Sequence, residues 1–248
     1  MTLYHSSRRL LVAAIVITTC QCLSIVAVLS LAKQSPQESV LRVENKTKAF
    51  QVVSIAKDRE SIHVSLRNDY EKTIISYIVA TSRHTTMQTD YGFSDESKGI
   101  APRAIEDWRE TTTLQMLSDG ITILAVVFED GTGDGEPQRV KEIKDQRYGY
   151  KVQISRILLL IENILKSPVA DTPTAIDELE SQITSLSTEP DDETLEHSKL
   201  GLHNQKESTL RDVEELRGIV QEPGKITVRD GLVRIKKRLE KRLSRLGV

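Results

Sequence analysis

The pattern of hydrophobic and polar positions divides the chain into three parts. No charged residue occurs between positions 10 and 32, and a helix of that length, at about 1.5 Å per residue, spans roughly the 30 Å hydrocarbon core of a bilayer. Apolar runs of strand length follow as far as Phe128, and apolar residues at helical spacing occupy the remainder. The pattern therefore predicts an α+β chain with an N-terminal transmembrane or signal helix, an antiparallel β-sandwich and C-terminal helices.

The first segment has two open interpretations. Ser30 and Ala32 form a small-x-small site before Lys33, which suits a cleaved signal peptide. The length of the segment favours a retained anchor, because a secretory apolar region usually spans about 7–15 residues. Arg8 and Arg9 precede the segment and favour an exported remainder. We expect a soluble part outside the cytoplasmic membrane, in the periplasm or at the cell surface, or secreted after cleavage at Ala32.

The strand-like runs begin at Phe50. Ile62, Val64 and Leu66 alternate with polar residues, as in a strand with one buried face. Residues 73–80 are rich in β-branched side chains and suit a more central strand, and residues 121–128 give the strongest strand signal. Short runs separated by turn residues pack naturally as an antiparallel sandwich, which we place at residues 49–136.

Residues 62–128 resemble the small immunoglobulin-like β-sandwich modules of bacterial exported and envelope proteins. The resemblance rests on a strand that ends in Asn68, an apolar strand after Lys72 and a turn or strand start at residues 100–102. Such modules usually have Gly after the proline, whereas this chain has Arg103. The resemblance implies an exported interaction or spacer module and brings no catalytic residues.

Residues 137–248 are predicted to be helical, as a helical hairpin or a coiled-coil-like arrangement. Pro137 opens a heptad seam with apolar or long side chains at alternating spacings of three and four. The seam consists of Val140, Ile143, Arg147, Tyr150, Ile154, Ile157, Ile161 and Ile164. A second helix is expected after a Thr172 cap, a third is expected to end at residues 222–224, and a fourth follows Thr227.

Charge is segregated within the helical region, although the formal net charge of the chain is only -2. Residues 171–198 contain acids and no Lys or Arg, whereas the last 22 residues are strongly basic. The basic end could pair with the acidic arm of the same or another chain, contact anionic lipid, bind nucleic acid or form a solvated helix face. Export argues against nucleic acid. The candidate interaction residues are Lys236, Lys237, Arg238, Lys241 and Arg242.

Candidate chemistry is sparse. Asp130 and Asp134 lie in a Gly-rich loop with some likeness to a calcium loop, but Lys141 stands where a closing Glu would be needed, so a Gly-Asp turn is the favoured interpretation. Trp108 has two interpretations, an interaction hot spot or a side chain packed across the sandwich. Both cysteines, Cys20 and Cys22, lie in the hydrophobic segment. No cofactor or metal is predicted.

These features favour a non-enzymatic envelope protein, anchored through residues 10–32 or secreted, that acts as an interaction or structural module. Its partner would be a second copy or another protein, contacted through the C-terminal helices. The alternative is a ligand-binding or hydrolytic sandwich with its site at the strand-end loops, using Asp107, Glu129, Asp130 and Asp134. A third hypothesis places the soluble part in the cytoplasm. In the preferred hypothesis, residues 1–33 are the signal peptide or membrane anchor, and residues 34–48 are the linker to the sandwich.

Overall fold

The computed structural model describes residues 42–57, 61–81, 85–93, 97–111, 120–191, 195–222, 224 and 226–247. The predicted N-terminal helix at residues 10–32 lies outside the described residues. No helix in the described part of the chain combines the length and the apolarity needed to cross a membrane.

The described residues are both helical and β-stranded, which confirms the α+β prediction. The strands are β1 (Val43–Asn45), β2 (Phe50–Lys57), β3 (Ser61–Asn68), β4 (Ile74–Thr81), β5 (Thr85–Asp90), β6 (Ile105–Thr111), β7 (Ile121–Phe128) and β8 (Gly133–Gly135). The α-helices are α1 (Pro137–Lys166), α2 (Thr174–Ser185), α3 (Ser198–Val220) and α4 (Val228–Arg245). Two 3-10 helices cover Tyr91–Phe93 and Pro168–Asp171.

The strands form two sheets. The first has the order β1-β7-β4-β5, with β8 also paired to β7, and the second has the order β2-β3-β6. All of these pairs are antiparallel except β1 with β7, which is parallel. Because β4 pairs along the whole of β7, β1 and β8 must share the opposite edge, β1 beside Ile121–Ile123 and β8 beside Ala125–Val127. The parallel pair is a departure from the purely antiparallel arrangement that the sequence predicts.

Side chains from both sheets contribute to one hydrophobic cluster. Ile62, Val64 and Leu66 of β3 are at most 2% exposed, which confirms the alternation predicted for this strand. Tyr77 of β4 and Phe50 of β2 join the same cluster, and their rings meet edge to face at 5.5 Å. The two sheets are therefore held together by burial of apolar surface.

Strand β7 is covered on both faces. Val126 and Phe128 contribute to the cluster shared by the sheets, whereas Leu124 and Val127 pack with Ile143 of α1. A strand that is buried on both faces needs an uninterrupted apolar sequence. This explains why residues 121–128 give the strongest strand signal in the chain.

The helices enclose a second large cluster. The second half of the predicted seam of α1 is confirmed, since Ile154, Ile157, Ile161 and Ile164 are at most 2% exposed and pack with residues of the other three helices. Thr227 caps α4 by accepting a hydrogen bond from the backbone N–H of Asp230. The start of α2 differs from the prediction: the helix begins at Thr174, and the Thr172 hydroxyl donates back to the Val169 carbonyl of the preceding 3-10 helix.

Helices α1 and α3 approach each other closely at two glycines. A Cβ added at Gly149 would lie 2.1 Å from the backbone oxygen of Ser198, and one added at Gly201 would lie 2.1 Å from that of Gln146. Each helix therefore places a glycine against the backbone of its neighbour. The strands and the helices described here belong to one compact unit.

Candidate functional site

A cleft opens between the first sheet and the helices. It lies where the start of β4 and the turn after β7 meet α1 and the C-terminal end of α4. Two adjoining cavities, of about 290 and 510 Å³, form the cleft and share Ile75, Glu129 and Gly247 in their walls. The two volumes lie close to or within the range of roughly 300–1,000 Å³ that is common for small-molecule pockets.

The cleft has an apolar floor and a basic rim. Ile75, Val127 and Leu246 supply the apolar side chains, each at most 8% exposed. Two carboxylates, Glu129 and Asp145, also line the walls. The cations around it are Lys98, Lys144, Arg147, Lys151, Lys241 and Arg245. Among the described residues of the walls, cations therefore outnumber carboxylates.

Several of these charged groups are engaged within the protein. Lys141 forms an ion pair with Asp145, and Lys151 Nζ donates to the Gly247 carbonyl at 3.1 Å. Lys98 and Lys144 differ, because they are exposed and have no ion-pair partner among the described residues. These two lysines are the cations of the rim that are most open to a ligand.

Arg147 holds one wall of the cleft in place. Its guanidinium forms a buried ion pair with Asp90, with side-chain exposures of 5% and 7%, and donates to the Arg245 carbonyl at 2.9 Å. The arginine therefore joins the end of β5 and the C-terminal turn of α4 to helix α1. Close by, the rings of Phe93 and Tyr150 meet at 4.3 Å. These contacts favour a preformed cleft.

The Gly-rich loop after β7 uses its carboxylates to shape the chain. Asp130 accepts hydrogen bonds from the backbone N–H and the hydroxyl of Thr132, at 2.9 and 2.6 Å. Lys72 lies 2.7 Å from the other oxygen, and its hydrogen bond is the main cause of the lowered pKa of Asp130. Asp134 accepts from the backbone N–H groups of Lys48 and Ala49, at 2.5 and 2.9 Å. No group of three metal-ligating side chains occurs in the described ranges.

The other candidates of the sheets lie apart from this loop. Trp108 is 8% exposed and belongs to the cluster between the sheets, as its packing interpretation predicts. The neighbouring Asp107 accepts from the Ser65 hydroxyl at 2.7 Å on β3. Of the four carboxylates proposed for a strand-end site, Glu129 alone lines the cleft, and Asp107, Asp130 and Asp134 do not.

The basic residues of α4 fall into different environments. Lys236 pairs with Glu162 at 3.3 Å, and Arg238 pairs with Asp212 of α3 at 2.6 Å. Arg242 lies over the Phe93 ring at 5.6 Å and donates a hydrogen bond to the Ser208 hydroxyl of α3. Lys237 and Lys241 are exposed, and Lys241 borders the cleft.

The acidic arm, residues 171–198, forms ion pairs with several cations of the same chain, and one cation of α3 contacts two of its acids. Arg217 contacts Asp177 and Glu180 of α2, with the Asp177 pair at 3.1 Å. One contact does link the arm with the basic end, since Arg229 pairs with Asp171 at 3.0 Å. Within the described ranges, the two oppositely charged segments are therefore joined at Asp171, and most acids of α2 face Arg217 instead.

Sequence reasoning did not predict the cleft. Lys144 is one of several charged residues at the start of α1, Lys98 lies in a polar segment, and Ile75 and Val127 look like ordinary strand residues. They come together only when the sheet packs on α1.

Comparisons with known proteins were made at three levels. No protein-family model matches the chain, and neither the curated proteins nor the solved structures give a significant match.

Proposed function

We propose that the protein is a non-enzymatic interaction module that is held outside the cytoplasmic membrane by residues 10–32, or secreted if that segment is cleaved. In this proposal, residues 49–136 form an immunoglobulin-like β-sandwich and residues 137–248 a helical region that contacts a partner. The partner is a protein with an acidic surface, either a second copy or another envelope protein.

The strand connections support the sandwich part of the proposal. The chain passes from the second sheet to the first between β3 and β4, returns between β5 and β6, and crosses again between β6 and β7. Repeated crossings between two facing sheets are typical of the Greek-key connections of immunoglobulin-like domains.

The observation that carries the interaction role is the outer face of α4. Leu232, Ile235 and Leu239 bury one side of this helix, at most 4% exposed. Arg234 and Lys237 are exposed on the other side, and no ion-pair partner for either occurs among the described residues. With Lys241 they follow spacings of three and four, which places the three cations on one helix face. We call Arg234, Lys237 and Lys241 the basic stripe.

Charge complementarity between a basic stripe of this kind and an acidic partner raises the association rate and the specificity of binding more than it raises the affinity. Lys236 and Arg238 suit this role less, because both already pair with acids of the same chain. The binding face is therefore narrower than the whole basic end of the sequence.

The test uses the full chain in its native host with a photo-crosslinking residue at Lys237. The matched control carries the same residue at Lys166, an exposed lysine at the end of α1. We expect a discrete crosslinked species from position 237 that is lost in an Arg234→Glu variant, and none from position 166. Absence of a crosslink at 237, or equal crosslinking at both positions, would contradict the proposal.

A further inference from the structure

We propose that the cleft between the first sheet and helices α1 and α4 binds a small anionic amphiphile, an anion carried on a short aliphatic chain. This inference goes beyond the proposed function, since it concerns a small molecule instead of a protein, and a cleft that meets the basic stripe only at Lys241.

The charge of the cleft selects an anion. Asp145 and Arg147 are each neutralised by ion pairs inside the protein, with Lys141 and Asp90. Glu129 is then the remaining carboxylate among the described residues of the walls, and Lys98 and Lys144 are exposed cations beside the same cleft. Clefts that are lined mainly by one sign of charge concentrate ligands of the opposite sign.

The floor of the cleft selects an apolar group. Ile75, Val127 and Leu246 line this floor, and the half-exposed Tyr148 side chain lies in the same cavity wall. An aliphatic chain on this floor removes apolar surface from water, which is favourable in proportion to the area buried. The combination of apolar floor and cationic rim therefore fits an amphiphile better than a free inorganic anion.

The position of the lysines suits a shared ligand. Lys144 borders the smaller cavity and Lys98 the larger one, and both cavities meet at Ile75 and Gly247. Because both cavities share Ile75, a ligand whose aliphatic chain covers Ile75 adjoins the cavity that each lysine borders. Because neither lysine has an ion-pair partner in the described part of the chain, both are available to the ligand, and their replacement breaks no ion pair there.

The experiment uses the full chain in neutral dodecyl maltoside micelles and isothermal titration calorimetry. Three probes separate the two contributions: octyl phosphate has both groups, inorganic phosphate has the anion alone, and octyl glucoside has the chain alone. The test variant is Lys98→Gln with Lys144→Gln. The matched control is Lys166→Gln with Arg211→Gln, which removes two exposed cations elsewhere on α1 and α3.

We expect one octyl phosphate bound per chain, with inorganic phosphate and octyl glucoside each binding at least about tenfold more weakly. The test variant should bind octyl phosphate about tenfold more weakly, as expected for the loss of two partly exposed charge contacts. The control variant should bind octyl phosphate as the parent chain does, because neither Lys166 nor Arg211 lines the cleft. Every sample contains the same micelles. Circular dichroism should show the same unfolding temperature for all three proteins.

Equal binding of octyl phosphate by the parent and the test variant would overturn the inference, as would no binding at all. Inorganic phosphate that binds as tightly as octyl phosphate would also overturn it, because the apolar floor would then make no contribution. None of these outcomes alters the crosslinking expected at Lys237, so the two proposals are tested separately.

Discussion

At the scale of single residues, Arg103 occupies a backbone conformation that normally belongs to glycine. Its φ is 64°, the only positive value found for a described residue other than glycine. The envelope modules that residues 62–128 resemble usually have Gly at this position, directly after the proline. The side chain contacts Glu71 at 3.2 Å and Asp69 at 3.5 Å. These exposed ion pairs offset part of the conformational cost, which is roughly 1–2 kcal/mol for a residue with a side chain.

Substitutions at Arg103 should follow the demands of the backbone. We expect Arg103→Gly to leave the free energy of unfolding within about 1 kcal/mol of the parent, because relief of strain offsets the lost ion pairs and the entropy of glycine. Arg103→Val should lower it by about 1–2 kcal/mol, since a β-branched residue resists a positive φ. Urea denaturation of the full chain measures both, and a valine variant as stable as the glycine variant would contradict this account.

The fate of the other candidate residues shows what a sequence can predict at this scale. The Gly-Asp turn at Asp130 was foreseeable, because Asp followed by Gly commonly bonds its own backbone. The role of Asp134 was not, since its partners are backbone N–H groups of Lys48 and Ala49, more than 80 residues earlier in the chain. For Trp108, the sequence favoured packing across the sandwich over a surface role, and the side chain is 8% exposed in the cluster between the sheets.

At the scale of secondary-structure elements, periodicity predicted the long helices and the apolar strands well. The seam of α1 and the run of β7 both carry strong patterns that match their burial. The pattern missed β1, β5 and β8, because β1 and β8 have three residues each and β5, with the sequence TTMQTD, is largely polar. Pairing with a neighbouring strand defines such elements, and the sequence does not display that pairing.

The close approach of α1 and α3 gives a matched pair of glycine substitutions. Gly201→Ala should lower the free energy of unfolding by about 1–3 kcal/mol, because the new methyl group meets the Gln146 backbone oxygen. Gly218→Ala in the same helix should raise it by about 0.5–1 kcal/mol, since no atom lies within 4 Å of the new Cβ.

Chemical denaturation of the two alanine variants beside the parent chain provides the measurement. The two substitutions should change the free energy of unfolding in opposite directions. The difference separates the effect of helix packing from that of helix propensity, because both glycines lie in the same helix. If Gly201→Ala stabilised the protein as Gly218→Ala does, that result would contradict the close approach of α1 and α3 at Gly201.

At the scale of the whole molecule, Arg147 connects parts of the chain that are distant in sequence. It meets Asp90 from the first sheet and the Arg245 carbonyl from the end of α4. The heptad pattern predicted that Arg147 faces inward, but it could not supply the buried carboxylate that an inward arginine requires. The cleft is unpredictable for the same reason, because its walls come from β4, β7, α1 and α4.

Removal of one partner of this buried pair should be costly. Arg147→Met leaves the Asp90 carboxylate buried without its cation and should lower the free energy of unfolding by about 3–5 kcal/mol. Adding Asp90→Asn to that variant should recover part of the loss, because a neutral amide replaces the unpaired charge. Denaturation of both single variants and of the double variant gives the coupling energy. A double variant that shows the sum of the two single losses would contradict a direct pair.

The central claim is that the portion after residue 33 works beyond the cytoplasmic membrane, and protease added to intact spheroplasts tests it most directly. A cytoplasmic protein serves as the control for leakage, and lysed spheroplasts serve as the control for protease sensitivity. The account predicts digestion of the C-terminal portion while the cytoplasmic control stays intact. Full protection in intact spheroplasts, with digestion only after lysis, would contradict it.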